Sequence, residues 1–258
     1  MTISDSVHGT GASWVFLHGW GMHQGVWQPI LNELTDSLRM RTVDLPGYGQ
    51  SPWHASYEDF EQAVTALEQH LLQHETGPVN LLGWSMGGLF ATALAARGNL
   101  NVQRLALVAS TPKFAQADHW PGIQPTVLAA FEKQLKRDYK ATIERFIAVQ
   151  AMGSPHMKDD IRALSQLLTH APSPAPEALL AGLNWLQHID LREAFTQLSC
   201  PSLRIYGRRD SLVPVAQAEQ IHKPIDHMEV FNDSAHTPFL NEPAHFCQTL
   251  LAFVRSNI

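Results

Sequence analysis

The stretch Val79-Asn80-Leu81-Leu82-Gly83-Trp84-Ser85-Met86-Gly87-Gly88 constrains this chain more than any other. An apolar run of strand length breaks directly into Gly-x-Ser-x-Gly, and a helix-forming run from Leu89 to Arg97 follows. A strand that turns straight into a helix forces the serine at the corner into a strained backbone conformation and lifts its Oγ above the sheet. Only glycines, here Gly83 and Gly87, leave room on either side of it. The same corner sets the Met86 N–H at a helix start, facing the space before the hydroxyl. One short segment therefore offers a nucleophile and half of an oxyanion hole. The bare pentapeptide is common by chance; the strand and helix around it give it weight.

At 258 residues the chain is one large domain or a domain with an insertion, long enough to bury a full core. Its 45% hydrophobic and 16% charged content reads as a globular enzyme, not as a disordered chain. A net charge of -6 argues against general polyanion binding, so no nucleic-acid partner is expected. Cys200 and Cys247 are too few for a disulfide framework and fit a reducing compartment. The start, Met1-Thr2-Ile3-Ser4-Asp5-Ser6, lacks the basic and apolar regions of a signal peptide. No stretch reaches the length of a membrane span. A cytoplasmic protein with no membrane partner is the expectation.

Along the chain, the first ten residues read as a loosely packed polar lead-in. Strands are expected at Trp14 to Leu17, Met40 to Leu45, the nucleophile run, Leu105 to Ala109, Ser202 to Tyr206 and His227 to Phe231. Helical spacing marks Gly25 to Leu38, Tyr57 to His74, Ala216 to Ile221 and Pro243 to Arg255. Between Pro112 and about Asp190 only helical segments occur: Thr126 to Tyr139, Ala141 to Met152, Lys158 to His170 and Pro176 to Gln187. Alternating strands and helices imply an α/β fold with a doubly wound, mostly parallel sheet. Residues 1–111 and 191–258 are then its core. The helical block 112–190, inserted after the strand near 105–109, is expected to lie over the C-terminal strand edge as a lid.

A serine hydroxyl needs a base, and the base needs an orienting acid. The strand ending at Tyr206 runs into Gly207-Arg208-Arg209-Asp210, and the strand ending at Phe231 runs into Asn232-Asp233-Ser234-Ala235-His236. Asp210 would hold the imidazole tautomer of His236, which would take the Ser85 proton. Each residue alone is weak evidence, because the chain holds 14 histidines and loop aspartates usually serve turns. Three residue types in this order, each just after a candidate strand, carry the reading. Asp226 precedes its strand, Asp233 shares the histidine's loop, and Asp44 precedes the serine, so each is a poorer acid. The second oxyanion donor belongs in the loop after the first strand, at His18-Gly19-Trp20-Gly21, with the Trp20 N–H as the candidate. The Trp20 side chain reads equally as core packing or as a wall of the acyl site. No His-Glu-x-x-His motif occurs, and neither a metal nor an organic cofactor is expected.

Together with Asp44-Leu-Pro-Gly-Tyr-Gly-Gln-Ser51 and Ala235-His-Thr-Pro-Phe239, these motifs make the chain similar to the α/β-hydrolase superfamily over nearly its whole length. More narrowly it resembles the family of pimeloyl-acyl carrier protein methyl ester esterases of biotin synthesis. That likeness rests on Gly83-Trp-Ser-Met-Gly-Gly88, Trp120-Pro-Gly-Ile-Gln-Pro125 and Glu144-Arg-Phe-Ile-Ala-Val-Gln-Ala-Met-Gly153. The resemblance implies a serine carboxylesterase that hydrolyses a carrier-borne methyl ester and releases methanol. It implies an acyl site from Trp20, Ser85, Met86, Phe146, Ile147, Ala148, Val149, Gln150 and His236. It also implies a basic surface for acyl carrier protein at Lys140, Arg145, Lys158 and Arg162, on a monomer. One arginine of that family's surface corresponds to Ala141 here, with Lys140 beside it.

The charge pattern points the same way without the resemblance. Residues 132–162 carry seven Lys/Arg against five Asp/Glu, a local excess of positive charge in an acidic chain. Lys133, Arg137 and Lys140 would share one helical face. A merely solvated helical surface would look similar. Two other functional classes stay open at this level: a generalist short-chain carboxylesterase or carbon–carbon bond hydrolase with the same triad, and a non-catalytic hydrolase-fold binding module.

Overall fold

The computed structural model describes residues 2–169, 171–221, 223 and 225–256. In chain order the first half comprises β1 (Asp5–His8), β2 (Ala12–Leu17), α1 (Gln28–Leu34), β3 (Leu38–Val43), α2 (Phe60–His74), β4 (Val79–Trp84), α3 (Met86–Arg97) and β5 (Val102–Val108). Next come α4 (Pro125–Leu135), α5 (Tyr139–Ala151), α6 (Met157–Thr169) and α7 (Pro176–His188). The chain closes with α8 (Arg192–Gln197), β6 (Ser202–Gly207), α9 (Val215–Ala218), β7 (Asp226–Phe231), α10 (Pro238–Asn241) and α11 (Pro243–Arg255). The strands form one seven-stranded sheet in the order β1-β3-β2-β4-β5-β6-β7. Only β1 runs antiparallel to its neighbour; the remaining pairs are parallel. This is the expected α/β class. Every residue of β4 is buried, which is why the strand carrying the serine corner reads as a continuous apolar run rather than an alternating one.

Four local expectations need correction. The N-terminal lead-in is not loose: β1 pairs with β3 from Asp5↔Val43 to His8↔Met40, and Ile3 is buried. The helix expected through Leu38 stops at Leu34, because Thr35 to Ser37 turn the chain and Leu38 begins β3 opposite Ala12. Leu38 is apolar for a strand interior, not for a helix face. The helix expected over Thr126 to Tyr139 ends at Leu135, since the Asp138 carboxylate accepts the Ala141 N–H at 3.1 Å and starts α5. Lys133 and Lys140 therefore sit on different helices with Arg137 in the turn between, and they do not share a helical face. The helix expected from Lys158 is α6; its expected end, His170, lies outside the described residues.

The stretch α4 to α7 rests on loops that follow the C-terminal ends of the parallel strands. Trp20, after β2, donates its indole N–H to Leu179 O at 2.9 Å. Tyr48, after β3, donates its hydroxyl to Ala178 O at 3.1 Å, and Ala175 N–H reaches Gly47 O at 2.9 Å. The His236 N–H, after β7, reaches Gln150 O at 3.2 Å. Beneath these loops Trp27, Trp84 and Phe239 stack edge to face or tilted at 4.8–6.4 Å, a geometry worth about 0.5–1.5 kcal/mol per pair beyond area burial. No helix among the described residues is long and apolar enough to cross a membrane.

Candidate active site

Ser85 occupies the corner between β4 and α3 with φ 53° and ψ −123°, a positive-φ backbone conformation that few non-glycine residues adopt. Its neighbours hold it there. The Ser85 N–H donates to Val108 O at 2.9 Å, and the Ser110 hydroxyl donates to Ser85 O at 2.7 Å. A Cβ on Gly83 would lie 2.4 Å from Gly87 O, and one on Gly87 would lie 2.2 Å from Leu17 O. Both glycines are therefore required by the close approach of α3 to β4 and β2, not by turn flexibility.

His236 follows β7 and Asp210 follows β6. His236 Nε2 lies 2.8 Å from Ser85 Oγ, and His236 Nδ1 lies 2.8 Å from Asp210 Oδ2. An ionised carboxylate only accepts, so Nδ1 carries the hydrogen and the Nε2 lone pair faces the serine. The other Asp210 oxygen accepts the Leu212 and Val213 N–H groups at 2.8 and 3.0 Å, which anchors the carboxylate in its own turn. The His236 and Asp210 side chains are each only 1% exposed, so the pair works away from water, where its electrostatics are strongest. The three weaker acid candidates lie elsewhere. Asp226 pairs with Arg204, Asp233 with Arg209, and Asp44 accepts from Gln24 and Gln50.

Met86 is the first residue of α3, where the helix leaves its leading N–H groups free and concentrates positive potential. Among the described residues, neither the Met86 nor the Trp20 N–H has a protein acceptor. The loop bearing Trp20 is held by His18, which is wholly buried. The Leu45 N–H donates to His18 Nε2 at 3.0 Å, so His18 Nδ1 carries the hydrogen and gives it to Gly19 O at 2.8 Å. Burial pushes the His18 imidazole down to about 4, against the opposing pull of Asp44.

The expected acyl-site residues divide by burial. Trp20 is 1% exposed, and its ring meets Phe146 of α5 edge-on at 4.7 Å. Phe146, Ile147 and Gln150 are buried, whereas Ala148 and Val149 are half-buried. Gln150 touches the His236 loop through its carbonyl, while its own buried side-chain oxygen lacks a partner. The four basic residues are all exposed. Lys140 lines a groove of about 620 Å³ between α5 and α6, and Arg145 turns the other way, to Gln134 and over the Phe131 ring of α4. On α6, Arg162 pairs with Asp159 at 3.4 Å and Lys158 lies one turn before it. Two positioning residues escaped the sequence reading. Trp84 donates its indole N–H to His236 O at 2.8 Å, and Ser110 holds the serine carbonyl. Trp84 reads in sequence only as a strand residue, and Ser110 only as a strand-end polar residue.

Buried serine, imidazole and carboxylate at the C-terminal strand edge define the α/β hydrolase class. The description of that family, alpha/beta hydrolase fold, matches residues 15–243. Among known proteins, a pimeloyl-[acyl-carrier protein] methyl ester esterase of Vibrio vulnificus is 44% identical over 247 residues, 95% of each chain. One from Aeromonas salmonicida is 42% identical, covering 98% of this chain and all of that one. Among solved structures, an esterase from Exiguobacterium antarcticum superposes with a TM-score of 0.89 at 28% identity, covering 98% of this chain and 96% of that one. The chain belongs to the α/β hydrolase fold family and, within it, to the family of pimeloyl-[acyl-carrier protein] methyl ester esterases.

Proposed function

We propose that the protein is a cytoplasmic serine carboxylesterase that removes the methyl group from pimeloyl-acyl carrier protein methyl ester in biotin precursor synthesis. The relay of two 2.8 Å contacts from Asp210 through His236 to a strained Ser85 carries the esterase reading. The names of its relatives support the substrate. In the reaction, Ser85 Oγ bonds to the ester carbonyl carbon while its proton passes to His236 Nε2. The Met86 and Trp20 N–H groups receive the negative charge that develops on the carbonyl oxygen. As the C–O bond breaks, His236 gives the proton to the departing methoxide, and methanol leaves. Water then loses a proton to His236 and attacks the acyl-enzyme; collapse returns that proton to Ser85 Oγ and frees the pimeloyl carboxyl group. Asp210 stabilises the imidazolium throughout.

Residues 112–190 act as the lid, with Trp20 and Phe146 to Gln150 lining the acyl chain's path. Ser85 is only 4% exposed, so substrate entry needs that block to shift. Lys140, Arg145, Lys158 and Arg162 meet the acidic carrier protein, and the enzyme works as a monomer. The test compares kcat/KM on the carrier-borne methyl ester and on a short-chain p-nitrophenyl ester, for the wild type and Ser85→Ala. Loss of both activities by about 10⁴-fold or more is expected in the variant. A large wild-type preference for the carrier substrate is expected too, and rising ionic strength should erode that preference. Serine-dependent activity without that preference would leave a generalist carboxylesterase, and an inactive wild type would leave a binding module.

A further inference from the structure

Far from Ser85 along the sheet, three side chains from two elements bring ligand atoms together. His70 and His74 are one turn apart on α2, with ring centroids 4.5 Å apart. Asp5 comes from β1, 65 residues earlier, and its Oδ2 lies 2.5 Å from His70 Nε2. One ligand atom from each of the three lies within 4.8 Å of the others, and among the described residues no other group of three His, Cys, Asp or Glu does this. We propose that Asp5, His70 and His74 bind a divalent transition-metal ion of zinc's class, tying the edge strand β1 to α2.

The surrounding bonds aim the donors. His74 Nδ1 lies 2.8 Å from His70 O, and a carbonyl only accepts, so Nδ1 carries the hydrogen and Nε2 keeps its lone pair. The Arg41 guanidinium holds Asp5 Oδ1 at 2.7 Å and is itself held by Glu75 at 2.6 Å, leaving Oδ2 to the histidines. Outer contacts of this kind fix orientation and tautomer at metal sites. A tetrahedral ion with bonds of about 2.0 Å needs donor atoms roughly 3.3 Å apart. Binding therefore requires the Asp5–His70 contact to open from 2.5 Å and the His74 donor, within 4.8 Å of the other two, to settle at the same spacing. The ion takes the place of the hydrogen between His70 Nε2 and Asp5 Oδ2, which moves to His70 Nδ1 or to solvent. Water completes the coordination. Two imidazoles and one carboxylate favour zinc, cobalt or nickel over magnesium or calcium. A structural ion pair of Asp5 with His70 and Arg41 would need no third donor; His74 is what exceeds it.

The site is built on β1, three strands from β4, and shares no residue with the serine relay. Its expected effect is therefore on stability rather than on turnover. The test titrates the full chain, stripped with a chelator, with Co²⁺ followed by its visible absorption, then displaces the cobalt with Zn²⁺. His74→Ala, Asp5→Asn and a control, His188→Ala, are measured beside the wild type. His188 makes the same local bond, to Asn184 O at 3.0 Å, but has no histidine one turn away. One equivalent should bind the wild type and His188→Ala equally. His74→Ala and Asp5→Asn should bind about 10–100-fold more weakly or worse. Zinc should raise the wild-type Tm and leave that of His74→Ala unchanged. His74 is exposed, so its variant should fold normally. Absence of one-equivalent binding in the wild type, unchanged affinity in His74→Ala, or an equal loss in His188→Ala would overturn the site.

Discussion

The Ser85 corner and the 112–190 block use polar groups in opposite ways. At the corner, Ser85, His236 and Asp210 are almost wholly buried, and each polar atom of the relay has a partner about 2.8 Å away. On the block, Lys140, Arg145, Lys158 and Arg162 are exposed, and the Arg162–Asp159 pair is about 70% exposed on both sides. Buried dipoles held by a sheet cannot relax, so they stabilise charge at the moment of reaction. Exposed charges on long side chains contribute little each, between about 0 and 1 kcal/mol, and are screened by salt. A surface of that kind suits a partner that must be released. If the block does meet the carrier protein as proposed, chemistry and recognition fall on different physical regimes of one chain.

Three substitutions probe that contrast. The largest effect belongs to the relay: Asp210→Asn should keep the turn bonds to Leu212 and Val213 yet lower kcat by about 10⁴-fold, because the amide favours the wrong imidazole tautomer. A loss below tenfold on both ester substrates would break the claim that the sheet edge holds the chemistry. Next is His18, whose folded imidazole sits near 4 and whose unfolded value is near 6.5. Between those values the unfolded chain is protonated and the native chain is not. The contribution is therefore complete above pH 6.5 and is lost as pH falls toward 4, on the order of 3 kcal/mol. Urea unfolding of wild type and His18→Gln across pH 4 to 7.5 should show a shallower slope in the variant; parallel slopes would remove His18 from the buried regime. The smallest effect belongs to the block. Lys140→Glu should lower kcat/KM for the carrier substrate about two- to fivefold, with the p-nitrophenyl ester and the Tm unaffected. An equal loss on both esters would place Lys140 with the chemistry instead.

Much of the site was legible because its constraints are local. Gly83, Ser85 and Gly87 lie within five residues, and the corner they form admits few backbone solutions. Asp210 and His236 each follow a short strand, and chain order supplied the rest. What escaped depends on partners distant in sequence. Trp84 supports the His236 carbonyl across 152 residues, and β1 became a strand only because β3 was there to pair with. Asp138 is a good capping residue, but the apolar period of Leu128, Phe131, Leu135 and Tyr139 runs on through it, so only the folded chain marks the break.

By itself the sequence determined the order of the six strands β2 to β7 and of the longer helices between them, the serine corner and the two loops that end in Asp210 and His236. Each is dictated by backbone sterics and by apolar periods within a dozen residues. Tertiary structure alone decided that Trp20 packs on Phe146, that Arg145 turns from the groove that Lys140 lines, and that Asp5 meets His70 and His74. Those outcomes depend on how whole elements stack, and no local pattern encodes the distance between residues that stacking brings together.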